Sequence, residues 1–316
     1  MIEIRKPGLQ TTVQDGGRRG YQAYGVPVCG AMDWYALATA NILAGNSWDE
    51  AALEICALGP TIVFRSDAVF ALAGADFSAT LNGQKLAANG AFLAHKDDVL
   101  EMGACKAGFR GYLAVSGGFD LPAVMESRST CLSAGFGGFQ GRTLKTGDRI
   151  SLRSPQFWQR GLPQRQTVGH YDPESPVRVI LGPQQAAFSQ DGLDTFFSAE
   201  YRVGNQSDRM GCRLEGAKIQ LKDGVTPNII SDGVVMGSIQ VPNGQPIIMM
   251  ADRQTTGGYV KLGTVITADL PLMAQKRPGD TVRFQCVTVQ QGQIARRDSI
   301  RKLKNLQEDL ERGNCW

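Results

Sequence analysis

Histidine is nearly missing from this sequence, which has only His95 and His170 among its 316 residues. His95 is followed by Lys-Asp-Asp, which is typical of a solvated turn, and His170 lies in a proline-rich stretch. Nucleophilic triads and many metal sites need a positioned imidazole. The shortage argues against a Ser-His-Asp or Cys-His nucleophile and predicts no metal site. Any chemistry must therefore use carboxylates, Lys, Arg, amides and hydroxyls.

Paired cysteines, long apolar runs and an excess of either charge are also missing. The seven cysteines are dispersed without a C-x-x-C pattern, which argues against a disulfide framework and a structural zinc site. The N-terminal MIEIRKPG lacks the apolar centre of a signal peptide, and no apolar run could span a bilayer. A net charge of +3 predicts neither a nucleic-acid partner nor a membrane partner. We expect free thiols and a cytoplasmic location.

Glycine is abundant, with 38 residues beside 14 prolines, and long helical patterns are few. Short β-rich runs separated by Gly, Asn and Asp recur in the first half without interleaved helices, which favours an antiparallel barrel or sandwich. These predicted strands cover residues 2–5, 53–56, 61–65, 69–73, 79–82, 90–93, 99–102 and 111–115. One helix is predicted over residues 34–44, with Asp33 as its N-cap and Asn41 turned inward.

The second half begins after a proline-rich linker at residues 154–176, within which the domain boundary is predicted. The predicted elements are strands at 177–181, 219–221, 247–251, 262–267 and 282–286, and helices at 191–199 and 294–311. The C-terminal helix is expected to pack on the protein's own surface. The fold is predicted to be mainly β. Its predicted parts are an N-terminal domain over residues 1–165, a C-terminal barrel over 166–290 and a helical tail over 291–316.

The stretch at residues 246–267, PIIMMADRQTTGGYVKLGTVIT, has the densest group of polar side chains directly after an apolar run. Gly257 and Gly258 follow, where the backbone can turn or approach a ligand without a Cβ in the way. A polar hairpin loop is the simpler interpretation, but the hydrogen-bonding capacity favours a site. Its candidate residues are Asp252, Arg253, Gln254, Thr255, Thr256, Gly257, Gly258 and Lys261.

Two further polar clusters precede that stretch. Ser207, Asp208 and Arg209 form one, which by itself is typical of a surface turn, and Gln240 stands before VPNG in the other. Arg and Lys near Gln and Thr donors suit a small anion such as a carboxylate or phosphate, and such donors could stabilise an oxyanion. The sequence alone leaves open whether these clusters meet in space.

Two glycine-rich regions lie in the first half. The first is a long loop that carries Gln14, Asp15 and Arg18 around Gly16-Gly17, a candidate supporting loop together with Asp33. The second contains GFGGFQG at residues 135–141. Its spacing matches neither a Rossmann nor a Walker motif, and no strand-loop-helix pattern surrounds it, so a nucleotide site there is rejected.

Six segments together resemble one family. They are TTVQDGGRRGYQAYGVPVCGAMD, YLAVSGGFDLPAVMESRST, GFGGFQGRTLKTGD, QSDRMGCRLEG, SIQVPNGQPIIMMADRQTTGGYVK and ITADLP. This chain resembles the family of 5-oxoprolinase C-subunits (PxpC, also called KipA), which is related to the second half of the carboxyltransferase domain of urea carboxylase. The resemblance extends to about residue 290. One departure is Glu126, where many members carry Gly.

The resemblance implies two cyclophilin-like β-barrels and a direct partner, the KipI-like B-subunit. Together with the A- and B-subunits, the family supports ATP-dependent opening of 5-oxoproline to glutamate, with ATP bound in the complex and no chain assigned to it. In this family context, Asp252, Arg253 and Lys261 are predicted as catalytic residues. The predicted substrate-binding residues are Gln240, Gln254, Thr255, Thr256, Gly257, Gly258, Ser207, Asp208 and Arg209.

Two other functions fit the same residues. The first is one half of a biotin-dependent carboxyltransferase, which would need biotin and ATP-using modules from other chains. The second is a non-catalytic antagonist that binds a KipI-like kinase inhibitor, in which case the polar clusters would form an interface rather than an active site.

Overall fold

The computed structural model describes residues 1–154, 166–167 and 171–312. The chain divides into two compact units. Unit 1 comprises residues 1–18, 29–170 and 300–316, and unit 2 comprises residues 19–28 and 171–299. The predicted boundary between residues 165 and 166 adjoins a segment that lies outside the described residues, as does His170. The chain thus passes between the units several times.

The strands described in unit 1 form two sheets. Their bounds are β1 Ile2–Lys6, β2 Gln10–Gln14, β3 Ala52–Cys56, β4 Thr61–Phe64, β5 Ala68–Asp76, β6 Thr80–Leu81, β7 Gln84–Lys85, β8 Gly90–Ala94, β9 Val99–Glu101, β10 Ala107–Val115 and β11 Arg149–Ile150. One sheet has six strands in the order β11-β1-β4-β9-β6-β7, and the other has five in the order β2-β3-β10-β5-β8. All of these pairs are antiparallel, as predicted.

Strand β5 is buried on both faces of the five-stranded sheet, because residues 68–75 contribute no polar side chain to either face. Phe70 and Leu72 belong to the core that also contains Ile2 and Ile4 of the six-stranded sheet. Val69, Ala71 and Ala73 belong to a second core that is closed by helix α1 (Trp34–Ala44). Small residues on that face let the helix approach the sheet closely.

Helix α1 has the bounds and caps that the sequence predicts. The side chain of Asp33 accepts a hydrogen bond from the backbone N–H of Ala36, and Gly45 ends the helix in the left-handed conformation. Asn41 is fully buried and donates to the carbonyl oxygens of Trp48 and Glu50 at 3.4 and 2.7 Å. The inward orientation predicted for Asn41 is confirmed, with loop carbonyls as its partners.

Unit 2 is built around a sheet of eight strands that is nearly closed into a barrel. Its order is β20-β13-β14-β17-β16-β19-β12-β21. The strand bounds are β12 Val177–Leu181, β13 Tyr201–Val203, β14 Gly211–Glu215, β16 Ser238–Gln240, β17 Ile247–Met249, β19 Lys261–Val265, β20 Thr281–Val282 and β21 Phe284–Cys286. The two edge strands, β20 and β21, are separated in sequence by Arg283 alone, so the chain itself joins the two edges.

A two-stranded ribbon stands apart from the barrel sheet in unit 2. It pairs β15 (Asn228–Gly233) with β18 (Thr256–Tyr259) in antiparallel register. Most of β15 is exposed, and Ile230 is 95% exposed. Because β18 leads directly into β19, the ribbon is anchored to the barrel at Val260.

Three further helices are described. They are α2 (Gln190–Ser198), α3 (Leu270–Gln275) and α4 (Val289–Glu311). Helix α4 begins five residues earlier than predicted because Thr288 and Gln291 form a reciprocal capping box. Within unit 1, Leu303 of α4 is fully buried with Ala38 and Ile42 of α1, as expected for a helix that packs on its own protein. No helix among the described residues is long and apolar enough to cross a membrane.

The mainly β fold is confirmed, and several local predictions were wrong. Residues 219–221 form no strand, since Leu221 makes only an isolated bridge with Phe188. Strand β2 was not predicted, because its segment TTVQ contains a single aliphatic residue and so shows no apolar alternation. Strand direction was predicted for the first half alone, and in unit 2 the described strands β12 and β21 pair in parallel. Glu126 adopts a φ of 62°, which explains why glycine suits that position.

Candidate functional site

A pocket of about 710 Å³ in unit 2 contains part of the predicted site. Strands β14, β16 and β17, the segment that precedes β14 and the segments that follow the three strands form its wall. Three predicted residues line it, namely Asp208, Gln240 and Gln254. Residues that the sequence analysis did not select also line it, among them Arg213, Glu215, Gln245 and Tyr259. Their signal was weak because each lies in an ordinary strand or turn sequence.

Strand register sets four side chains in one row across the barrel sheet. Arg213 of β14 pairs with Ile247 of β17, Ile247 pairs with Gln240 of β16, and Gln240 pairs with Lys261 of β19. The last of these pairs lies at a register shift between Ile239 and Gln240, where the ladder is irregular. Two of the predicted residues, Gln240 and Lys261, are therefore neighbours although they are far apart in sequence.

The amide of Gln240 is the most unusual polar group of this row. Gln240 is 2% exposed, and its Nε2 has no hydrogen-bond partner among the described residues. The atom lies against Gly257, where a Cβ would come closer to Nε2 than van der Waals contact permits. The group that lies close to this glycine is the protein's own Gln240 side chain, and the predicted approach to a ligand stays a prediction. The turn predicted there is wrong, because Gly257 and Gly258 are extended residues of β18.

Lys261 is buried but is paired with an exposed carboxylate. Its Nζ lies 2.8 Å from Oδ2 of Asp232, with side-chain exposures of 10% and 59%. The hydrogen bond from Lys261 lowers the pKa of Asp232 below its ordinary value, with a further contribution from the N–H of Gly233. Asp232 was not selected from the sequence, because NIISDG carries no sign that it faces Lys261.

Arg209 and Asp252 form a buried pair rather than two separate functional groups. Nε and Nη2 of Arg209 donate to the two carboxylate oxygens of Asp252 at 3.0 and 2.8 Å, and both residues are at most 5% exposed. The backbone N–H of Asp252 also donates to the carbonyl oxygen of Arg209. This bidentate geometry fixes the loop after β17 to the loop before β14.

The other residues of the loop after β17 differ in their exposure. Arg253 is 7% exposed and donates to the carbonyl oxygens of Val234 and Met250 at 3.2 and 3.3 Å. Thr255 accepts a backbone hydrogen bond from Val234, while Thr256 begins β18. Gln254 is exposed and reaches the pocket. The Arg253 side chain therefore holds the ribbon end to the barrel.

Ser207 and Asp208 stabilise a tight turn. The Ser207 hydroxyl accepts from the backbone N–H of Arg213 at 3.0 Å, and Oδ1 of Asp208 accepts from the N–H groups of Met210 and Gly211 at 2.8 and 3.0 Å. These contacts agree with the interpretation of the cluster as a surface turn. Of the two, Asp208 also reaches the pocket wall.

The supporting-loop residues lie in unit 1 and bind a loop of the same unit. Asp15 accepts hydrogen bonds from Ser127, Ser129 and the backbone N–H of Arg128. Arg18 is fully buried, donates to the carbonyl oxygens of Val124 and Ser129, and stacks on Phe136. Gln14 donates to the carbonyl oxygen of Thr130. These residues organise residues 124–130.

The glycines of GFGGFQG serve the same packing. A Cβ on Gly137, Gly138 or Gly141 would overlap Ser129, Thr130 or Gly135 respectively. The space that their missing side chains leave is taken by Ser129, Thr130 and Gly135 of the same unit.

A buried acidic cluster in unit 1 was missed from the sequence. The Tyr112 hydroxyl donates to Oε2 of Glu54 at 2.6 Å, and the same carboxylate oxygen accepts from the N–H of Met32 at 2.8 Å. Burial, with the nearby Glu54 charge, raises the pKa of Tyr112 well above its ordinary value. The available signal was Glu54 itself, a carboxylate within the otherwise apolar strand ALEIC. Asp33 joins this cluster through its N–H, which donates to Tyr112 at 2.9 Å.

Comparison with known proteins identifies the class of this fold and site. A family model described as carboxyltransferase domain, subdomain A and B, matches residues 24–286. Among solved structures, the Kluyveromyces lactis urea amidolyase matches with a TM-score of 0.89 at 31% identity, over 96% of this chain and 20% of that one. This chain thus spans about a fifth of the length of that enzyme.

Shorter relatives match end to end. The C-subunit of the Escherichia coli 5-oxoprolinase is 37% identical over 315 residues, which cover 99% of this chain and 100% of that protein. The C-subunit of the Haemophilus influenzae 5-oxoprolinase is 36% identical over 310 residues, which cover 96% and 98%. The chain belongs to the carboxyltransferase domain A and B family and, within it, to the family of 5-oxoprolinase C-subunits that its motifs indicated.

Proposed function

We propose that this chain is the C-subunit of an ATP-dependent 5-oxoprolinase, which acts with the A- and B-subunits to open 5-oxoproline to L-glutamate. The observation that carries the proposal is the end-to-end match to the Escherichia coli protein of that name. The B-subunit is the proposed direct partner, and the A-subunit is proposed to complete the enzyme.

The cluster around Gln240 and Lys261 suits this substrate. 5-Oxoproline carries a carboxylate and a lactam carbonyl on one small ring. The Lys261 ammonium suits the carboxylate, and the Gln240 amide N–H group, which has no partner among the described residues, suits the carbonyl. ATP supplies a phosphoryl group that makes the unreactive lactam a better electrophile. The contribution proposed for this chain is to bind and orient the lactam.

The predicted catalytic residues then divide by role. Lys261 is the residue proposed to contact the substrate, because its partner is an exposed carboxylate that can move away. Asp252 and Arg253 are proposed to position the loop between the barrel and the ribbon, with Arg209 holding Asp252. Gln254 and Asp208 are proposed to contact the substrate from the pocket wall.

The test is a reconstitution. Phosphate release from ATP and glutamate formation are measured with the chain and its A- and B-subunit homologues, omitting each protein and 5-oxoproline in turn. Turnover is expected only in the complete mixture. Lys261→Met is expected to lower kcat/KM by roughly 10- to 100-fold, the size typical of losing a charge-assisted hydrogen bond to the substrate carboxylate. Lys222→Met, at an exposed position of unit 2, is the matched control.

A silent mixture in which this chain still binds its KipI-like partner would reject the proposal and favour the antagonist function. Unchanged turnover in Lys261→Met would instead reject the proposed site while keeping the activity.

A second candidate is supported by the urea amidolyase similarity. In that function, the chain is one half of a biotin-dependent carboxyltransferase, and the ammonium of Lys261 binds the carboxylate of carboxybiotin. Transfer of labelled carboxylate from carboxybiotin to urea, with no turnover of 5-oxoproline, is the result that selects it.

A further inference from the structure

Four residues of unit 2 form a closed ring of neighbours that joins the barrel to the ribbon. Gln240 pairs in register with Lys261, and the Nζ of Lys261 binds Asp232. Asp232 pairs in register with Gly257 on the facing ribbon strand, and Gly257 lies against the Nε2 of Gln240. The ribbon therefore covers two polar groups of the barrel row, the Gln240 amide and the Lys261 ammonium.

The two groups are covered in different ways. The ammonium of Lys261 has a carboxylate partner, whereas the amide N–H group of Gln240 faces a glycine backbone and has no partner in the described part of the chain. A buried donor without an acceptor is unfavourable, and a ligand oxygen would relieve it. The site thus offers a cation and an amide donor side by side. The cation already has a partner, and the amide donor has none among the described residues.

Burial differs sharply within the ion pair. The Lys261 side chain is 10% exposed and is held in the sheet, while the Asp232 side chain is 59% exposed on the outer strand of the ribbon. The exposed Asp232 carboxylate can return to water at small cost, and an entering carboxylate keeps the buried Lys261 ammonium paired. The low pKa of Asp232 keeps it charged at neutral pH.

We propose that Asp232 is an internal substitute for the carboxylate of the ligand. It occupies the ammonium of Lys261 until a small carboxylate with an adjacent carbonyl displaces it. The entering carboxylate then binds Lys261, and movement of the ribbon frees Gln240 to donate to the carbonyl. The identity of the ligand as 5-oxoproline rests on the proposed function, but the exchange of carboxylates does not.

The experiment measures equilibrium binding to the full chain, alone and in the reconstituted complex. The variants are Asp232→Asn and, as a matched control, Asp223→Asn at an exposed position of the same unit. The probes are 5-oxoproline, acetate, which has only the carboxylate, and 2-pyrrolidinone, which has only the lactam. Asp232→Asn is expected to bind 5-oxoproline and acetate about two- to fivefold more tightly, the range that corresponds to an exposed ion pair. Binding of 2-pyrrolidinone should not change.

The double variant Asp232→Asn with Lys261→Met is expected to lose the gain, because the ammonium is then missing. Equal or weaker binding of both carboxylates to Asp232→Asn overturns the inference, as does the absence of any binding to it. A gain for acetate without any binding of 5-oxoproline supports the inference and rejects the proposed function. If 5-oxoproline binds but Asp232→Asn does not bind it more tightly, the inference is rejected and the proposed function is kept.

Discussion

Tyr201 and Tyr112 are both buried, yet their hydroxyl groups have opposite surroundings. The Tyr201 hydroxyl has no hydrogen-bond partner within the described ranges, and its ring packs with Phe196 and Phe284. The Tyr112 hydroxyl donates to Glu54 and accepts from Asp33. Removing the hydroxyl should therefore stabilise the fold at Tyr201 and destabilise it at Tyr112.

Replacing Tyr201 with Phe is expected to raise the free energy of unfolding by about 1 kcal/mol, because a desolvated hydroxyl without a partner is removed. Tyr112→Phe is the contrast and should lower it by about 2–3 kcal/mol, because a buried carboxylate loses a donor. Urea unfolding at neutral pH measures both values. A Tyr201→Phe protein less stable than the wild type would mean that the hydroxyl has a partner.

Residue types in the site could be predicted from the sequence, but their partners could not. Gln240, Lys261 and Arg209 stand out because they are polar residues beside apolar runs. The Lys261–Asp232 and Tyr112–Glu54 contacts join residues 29 and 58 positions apart, which strand pairing brings together. Nothing local in the sequence encodes such register. The bond between Arg209 and Asp252 was missed for the same reason.

The ribbon provides a matched pair of substitutions on one element. A Cβ at Gly257 would overlap Gln240 Nε2 and press on Val234, whereas at Gly258 its nearest neighbour is the carbonyl oxygen of Ile229 at 3.5 Å. Neither glycine has a positive φ. The two positions thus differ in the space available for a Cβ atom and not in backbone strain.

Gly257→Ala is expected to displace the Gln240 amide and to weaken binding of 5-oxoproline about tenfold, the cost of losing one hydrogen bond to a carbonyl. Gly258→Ala should leave binding and stability unchanged. Calorimetric titration and thermal unfolding of both variants measure this. Equal effects of the two substitutions would contradict the assigned contact.

Helix α4 provides a second prediction at this scale. Leu303 is fully buried with Ala38 and Ile42, and Gln307 accepts from the indole N–H of Trp48 at 2.7 Å. Leu303→Ala is expected to lower the free energy of unfolding by about 2–4 kcal/mol through cavity formation. Lys304→Ala, at an exposed neighbouring position, is the control. A stable Leu303→Ala protein would show that the helix is dispensable to unit 1.

Element prediction succeeded where periodicity was strong and failed where tertiary pairing decided. Helix α1 and strand β12 were predicted with their observed bounds because caps and apolar runs mark them. The β15–β18 ribbon has no such mark, since NIISDG and TGGY are polar or glycine-rich. Each strand is extended because the other one pairs with it.

At the scale of the whole molecule, tyrosines whose pKa is raised by burial contribute to the response to alkaline pH. Burial raises the pKa of Tyr35 in unit 1 and of Tyr201 in unit 2 to about 12, from an ordinary value of 10.0. Tyr112 has its pKa shifted in the same direction. The folded chain therefore holds these protons more tightly than the unfolded chain does.

The sign of the pH dependence follows by linkage. Below pH 10 both states keep the protons, and the stabilising contribution is complete; as the pH rises from 10 to 12, unfolding releases protons and the free energy of unfolding falls. Urea unfolding between about pH 8 and 11.5 is expected to show a plateau followed by a decline. Tyr201→Phe should decline less steeply. A flat profile above pH 10 would contradict the assigned burial.

Unit 1 is built from segments that are far apart in the sequence, and this order has a consequence for folding during translation. Every strand described in unit 1 has been translated by residue 150, but Leu303, which covers Ala38 and Ile42, is not yet made. The nascent chain must therefore carry an uncovered apolar face on α1 while the whole barrel of unit 2 is translated. A ribosome stalled between these points would present that face to chaperones, and release of the last helix would withdraw it.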